Sequence, residues 1–219
     1  MQNDFISPVK REKDGKTLVA VTGGIGSGKS AVTAVLSDLG FPVLSADEIY
    51  RNLLDEESFV LKVCREIGVP PLEKDGKFFI DRKKISELVY SDRMQKEKLD
   101  RMTHPPIMRE MLRLAANSPS GIVFCEVPLL YEGGYRDLFD YVFIVKRDDE
   151  QRFRSVSLRD GRSIEEARRI ASRQYDYTKT DLDAHTLEIE NDGDFSLLRQ
   201  KVCNVVDVIK KDIFPTKKE

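Results

Sequence analysis

The sequence predicts an α/β protein with a five-stranded parallel sheet covered by helices on both faces, and three observations carry that expectation. A short β-branched run, Thr17–Thr22, ends at a cluster of glycines, as a buried parallel strand would. Residues 30–39 then show helical spacing through Val32, Val35, Leu36 and Leu39, before Gly40 and Pro42 lead into a second short strand, PVLSA, which completes a β-α-β unit. Apolar strands return at Ile122–Glu126, 141–145 and 186–189, with helical stretches between them.

Two helical excursions interrupt this alternation. Residues 47–118 read as mostly helical, with breaks at Gly68, Pro70-Pro71, Asp75-Gly76 and His104-Pro105-Pro106. An Arg-rich helical pair spans 148–175, and the last helix is built on Leu197, Leu198, Val202, Val205, Val206 and Ile209. Residues 1–16 are polar and broken by Pro8 and Gly15, and read as a flexible leader.

The bulk numbers narrow the function classes. With 219 residues, 40% of them hydrophobic, the chain supports one well-cored domain carrying insertions. Thirty-six basic residues against 38 acidic ones give a net charge of −2, so no global field draws the protein to nucleic acid or to an anionic membrane. The three cysteines are scattered, with neither disulfide nor zinc spacing, and no stretch of ~18 apolar residues occurs. A cytoplasmic protein, monomeric or weakly homo-oligomeric, is the expectation.

The chemistry enters at Gly23-Gly24-Ile25-Gly26-Ser27-Gly28-Lys29-Ser30, which fits GxxxxGK[ST] without mismatch and lies between a predicted strand and a predicted helix. Glycines let backbone N–H groups approach phosphates, and the positive end of the following helix adds to them. Lys29 is placed to reach the β- and γ-phosphates of a nucleotide, and the Ser30 hydroxyl to bind Mg²⁺; Ala31 follows in the same turn. No guanine-reading NKxD segment or DxxG switch occurs at a suitable place, and the chain is short for a motor ATPase. A small-molecule kinase remains, which needs an acceptor pocket and an arginine-bearing lid. A nucleotide switch or nucleic-acid-dependent ATPase is the alternative from another class, with a nucleotide kinase as the runner-up among kinases.

The segments TGGIGSGKS, LGFPVLSAD, THPPI, VPLLYEGG, SLRDGRSIEEARRIASRQ and IENDG resemble the dephospho-CoA kinase family in order and spacing, over about residues 17–209. That resemblance implies a P-loop kinase fold: a core on 17–45, 119–147 and 184–213, an acceptor-binding helical region on 46–118, and a lid on 148–180. It implies ATP-dependent phosphorylation of the ribose 3′-hydroxyl of dephospho-CoA, the last step of coenzyme A synthesis, with Mg²⁺. The chain departs from the family in three places. It has Ser45-Ala46-Asp47 where Asp-Ala-Asp is common, the run from 151 to 159 is one residue longer, and the leader is not shared.

Asp47, at the carboxyl end of the second strand, is by resemblance the catalytic acid that orients the ribose hydroxyl; the same residue type also suits a helix N-cap. Arg51, four residues on, either orients Asp47 and meets an acceptor phosphate or forms a solvated pair. His104 and, more weakly, Arg109 are acceptor-side candidates, against a cap or core role for the histidine. Glu126 ends its strand where a Walker-B acid would hold a metal-bound water. Of eight arginines between 147 and 173, Arg159, in the Arg-Asp-Gly turn, is the first choice for the phosphates; the acids around them and the absence of interleaved aromatics argue against a nucleic-acid patch. Asn191-Asp192-Gly193 reads as a turn, which the resemblance places beside the adenine.

Overall fold

The structure, a computed structural model, describes residues 8–12 and 15–215; part of the predicted leader, 1–7 and 13–14, lies outside the described residues. In chain order the elements are β1 (Thr17–Thr22), α1 (Lys29–Asp38), β2 (Val43–Ser45), α2 (Ala46–Leu53), α3 (Glu57–Ile67), β3 (Leu72–Lys74), β4 (Lys77–Phe79), α4 (Arg82–Ser91) and α5 (Arg93–Ala116). They continue with β5 (Ile122–Glu126), β6 (Tyr141–Lys146), α6 (Asp149–Asp160), α7 (Ile164–Ala171), β7 (Thr186–Glu190) and α8 (Phe195–Ile213). Single 3₁₀ turns occur at Arg136–Leu138 and Tyr177–Lys179.

The five apolar strands form one sheet of order β2-β5-β1-β6-β7. β1 pairs in parallel with β5 on one side and β6 on the other, so Val19 stands between Phe124 and Tyr141. β7 continues the parallel ladder from β6. On one face, Val19, Val21, Phe124, Phe143 and Ile189 meet Val32 and Leu36 of α1 and Val202, Val206 and Ile209 of α8. Complete burial of each such side chain is worth about 1.5–3 kcal/mol, which makes this cluster a main source of the sheet's stability. Because the strands run in parallel, their carboxyl ends share one edge. The loops after β1, β5, β6 and β7 therefore converge there, which is where open α/β sheets bind ligands. The α/β fold expected from the sequence is the observed one.

The described chain divides into two compact units, one of residues 8–12 and 45–117, the other of 15–44 and 118–215. The first has its own core of Phe59, Val63, Ile67, Val69 and Ile85, with Tyr50, Leu53 and Leu99 against it. Lys16, grouped with the leader by its sequence, donates to the carbonyls of Ser118 and Ser120 in the second unit.

Two local expectations are corrected. Within 47–118 the sequence offers only helices and breaks, yet β3 and β4 form an antiparallel hairpin around Asp75-Gly76, both with positive φ (53° and 72°). This is the two-residue Asp-Gly turn, whose twist matches that of the flanking strands. The expected break at His104-Pro105-Pro106 is also absent, because α5 runs through both prolines. The missing N–H groups forgo bonds to the carbonyls of Arg101 and Met102. Its buried stripe of Met102, Ile107, Met108, Met111 and Ala115 continues across the interruption and holds the helix together.

Candidate active site

The glycine loop between β1 and α1 is a tight turn closed by Ser27 N–H donating to the Gly24 carbonyl (3.2 Å). Gly28 starts α1 in the left-handed region (φ 89°, ψ 31°), and no side chain caps the helix. A Cβ on Gly28 would stand 2.0 Å from Asn191 Nδ2, so both conformation and space require glycine. The first N–H groups of α1 have no carbonyl behind them within the helix, and the helix dipole makes that end an anion site. Lys29 Nζ donates to the carbonyls of Gly23 (2.8 Å) and Gly24 (3.3 Å), which holds its ammonium along the loop.

One turn into α1, Thr33 Oγ1 donates to the Ser30 carbonyl (3.2 Å) and lies 3.4 Å from Glu126 Oε2 at the end of β5. Thr33 thus links the main chain of Ser30 to the Glu126 carboxylate. A serine hydroxyl and a carboxylate are the oxygen donor types that suit a hard divalent cation. No group of three or more His, Cys, Asp or Glu side chains that could hold a metal occurs among the described residues.

Asn191, 9% exposed at the end of β7, donates from Nδ2 to the Ser27 carbonyl (2.9 Å). Its own N–H goes to the Lys146 carbonyl (2.8 Å), and Asp192 Oδ1 accepts from Asp148 N–H (2.7 Å). The Asn-Asp turn therefore ties the glycine loop to the end of β6 and the start of α6.

Among the arginines, the structure places Arg152 at the loop: its Nε donates to the Ile25 carbonyl (3.1 Å), and Asp149 Oδ1 accepts from its Nη1 (2.7 Å). Arg159 lies two turns further along α6, within the helix rather than in the turn that Gly161 makes after it. Its guanidinium forks onto Asp160 at 2.7 and 2.9 Å and is 65% exposed; that pairing raises its pKa further above the ordinary range. No sequence signal separates Arg152 from its seven neighbours.

Two further contributors escaped sequence reading. Gln174 Oε1 accepts from Ile25 N–H (2.7 Å), and the Tyr177 hydroxyl lies 3.0 Å from Thr22 Oγ1. Burial drives the Tyr177 phenol up to about 12. A cavity of ≈ 610 Å³ is lined by Gly24, Ser27, Lys146, Arg152, Gln174 and Tyr177, among others.

The acceptor-side candidates lie in the other unit, where α2 and α5 pack together. Asp47 is exposed at the second position of α2, and the N-cap is Ser45, whose Oγ accepts from Glu48 N–H (3.4 Å). Arg51 Nε reaches the Asp47 main-chain carbonyl (3.3 Å). His104 and Arg109 are half-buried on α5, with His104 Nε2 3.7 Å from Asp100 Oδ1.

Comparison with known proteins agrees with this architecture. The family described as dephospho-CoA kinase matches residues 17–196. A dephospho-CoA kinase of Fusobacterium nucleatum is 31% identical over 192 residues, covering 88% of this chain and 98% of its own. One from Chlorobaculum tepidum is 33% identical over 194 residues, covering 86% and 92%. Among solved structures, dephospho-CoA kinase from Campylobacter jejuni superposes with a TM-score of 0.62 at 29% identity, covering 90% of this chain and 98% of its own. A Thermus thermophilus protein superposes with 0.74 at 28% identity, covering 88% and 97%. With the family matching residues 17–196 and relatives above 30% identical over most of the chain, the chain belongs to the dephospho-CoA kinase family.

Proposed function

We propose that this protein transfers the γ-phosphoryl group of ATP to the ribose 3′-hydroxyl of dephospho-CoA, with Mg²⁺ on the phosphates, in the cytoplasm. Family membership supports the reaction, and the observation that carries it is the glycine loop: an uncapped helix start, with Lys29 lying along it. In this reading residues 23–31 cradle the polyphosphate, and the Lys29 ammonium moves from loop carbonyls to the β- and γ-oxygens as ATP enters. Ser30 would hold the metal directly and Glu126 through a water; the cation supplies neutralisation of charge on the β- and γ-oxygens.

Asp47 orients the ribose hydroxyl toward phosphorus. The new oxygen–phosphorus bond forms as the bond to ADP breaks, and the hydroxyl proton passes to the Asp47 carboxylate. Arg51, His104 and Arg109 take the anionic groups of the acceptor, and Arg159 meets charge on the transferring group. Asn191 fixes the nucleotide side by holding the loop.

The test is purified protein with Mg-ATP and a panel of acceptors, read by ADP release. Dephospho-CoA should be turned over, with pantothenate, shikimate, gluconate and nucleoside monophosphates as poor acceptors. Equal or faster turnover of a nucleotide acceptor would overturn the assignment.

A further inference from the structure

Ile25, in the middle of the glycine loop, is engaged by the α6–α7 segment through every group it has. Its N–H goes to Gln174 Oε1 (2.7 Å) and its carbonyl to Arg152 Nε (3.1 Å). Its side chain packs against the small core that Phe153, Val156 and Ala167 form between the two helices. The approach is close all along: a Cβ on Gly26 would stand 2.5 Å from the Arg152 carbonyl oxygen. The chain after α7 is itself fastened, with Tyr175 N–H donating to Glu132 Oε1 (2.8 Å) and the Tyr177 hydroxyl on Thr22. Two of the three fastenings, at Gln174 and Tyr177, are made to residues of β1 or its loop.

We propose that Ile25 is a joint that locks the conformation of the glycine loop to the α6–α7 segment, and that Gln174 is the positioning residue that closes it. A lid that merely swung over the nucleotide would need no bond to the loop's peptide groups. Here one residue of the loop completes the core of the helix pair, and both of its peptide groups are held by side chains, Gln174 and Arg152. Because Ser27 N–H closes the same turn onto Gly24, fixing Ile25 fixes the turn, and with it the N–H groups that face the phosphates. The proposal rests on the kinase reading for what the loop binds, but the joint itself can be read without turnover.

The experiment uses the full chain and two variants. Gln174→Met keeps the length and removes the acceptor; Gln174→Glu keeps an oxygen at the same reach and adds a negative charge beside the loop. Amide hydrogen exchange at Ile25 and ADP affinity by calorimetry are measured, with kinetics against both substrates. In Gln174→Met, Ile25 exchange should accelerate at least about tenfold and ADP affinity fall about 3–10-fold, the loss of one partly buried hydrogen bond. The KM for dephospho-CoA should stay within about twofold. In Gln174→Glu, protection of Ile25 should persist, while ADP affinity falls by more than about threefold at low salt and recovers as salt screens the charge.

Unchanged Ile25 exchange in Gln174→Met overturns the joint, as does an equal rise in both KM values. If Gln174→Met does not fold, Gln174→Glu decides: ADP affinity equal to wild type at low salt removes residue 174 from the phosphate loop. Absence of dephospho-CoA turnover by the wild type would sink the reaction assignment and leave the exchange and ADP results standing.

Discussion

The side-chain amide of Asn191 donates to the carbonyl of Ser27 across 164 residues of sequence, at 2.9 Å and out of water. That bond reaches from the end of β7 to the residue just before Gly28. It explains why Gly28 admits no Cβ: the amide occupies the space where one would stand. Asn191→Ala removes the donor and leaves a buried carbonyl unpaired, which costs about 1–3 kcal/mol. The expected result is a Tm lower by several degrees and an ATP KM raised several-fold, with the dephospho-CoA KM nearly constant. Thermal melts and initial-rate kinetics check it; an ATP KM equal to wild type would separate Asn191 from the loop.

Arg152 and Arg159 share a helix but not a setting, since one is held on the loop and the other forks onto Asp160. Arg152→Ala should lower kcat/KM for ATP by about tenfold or more, because it frees the Ile25 carbonyl and removes a cation from the loop. Arg159→Ala should lower kcat and kcat/KM together while leaving acceptor KM unchanged, as for a group acting when charge develops. Its effect should be the smaller, since Arg159 must first leave Asp160. A raised acceptor KM at constant kcat would remove Arg159 from the lid role.

Asp47→Asn tests the acceptor side cleanly. Ser45 caps α2, so the change does not touch the cap, and the lost charge at the helix start is worth only about 0.3–1 kcal/mol. Tm should move little and ADP affinity should hold. The kcat should fall about 10²–10⁴-fold, the range for a positioned proton acceptor, toward the lower end for a loose transition state. A kcat within about threefold of wild type would pass the role to Glu126.

Tyr177 gives a pH dependence with a definite sign. Burial lifts its phenol from 10.0 to about 12, so the folded protein holds that proton more tightly than the unfolded chain does. The corresponding stability is fully present below pH 10 and is lost as pH rises from 10 toward 12. Denaturant melts over that window should show a shallower decline for Tyr177→Phe than for wild type. Equal slopes would mean that the phenol titrates as if exposed.

Much of the fold was legible because its signals are local. TLVAVT, the glycine loop and the Val32–Leu36 stripe specify strand, turn and helix without reference to the rest of the chain. Asp75-Gly76 carried a hairpin signal too, but Leu72–Lys74 and Lys77–Phe79 are three-residue strands, mostly exposed, with little apolar alternation to show. Pro105-Pro106 misled in the other direction, because a buried stripe overrode a local breaker. In the candidate site, the sequence picked out the residues of the loop and, among those that brace it, Asn191, but not the others. Arg152, Gln174 and Tyr177 are distinguished only by where α6 and the chain after α7 come to rest.

The register of β1 with β5 pairs Thr17 with Ile122, and no ladder residue of β5 exists until more than a hundred residues have been made. The central strand therefore emerges from synthesis with neither neighbour available, and the whole of 45–117 must be made, and its ends brought together, before the sheet can close. Loop closure of that length is entropically slow, and parallel pairing supplies no local contacts to hasten it. The 45–117 unit has a core of its own, built from residues complete in sequence before β5 is made. During that interval the bare edges of an apolar β1 are open to pairing with other chains.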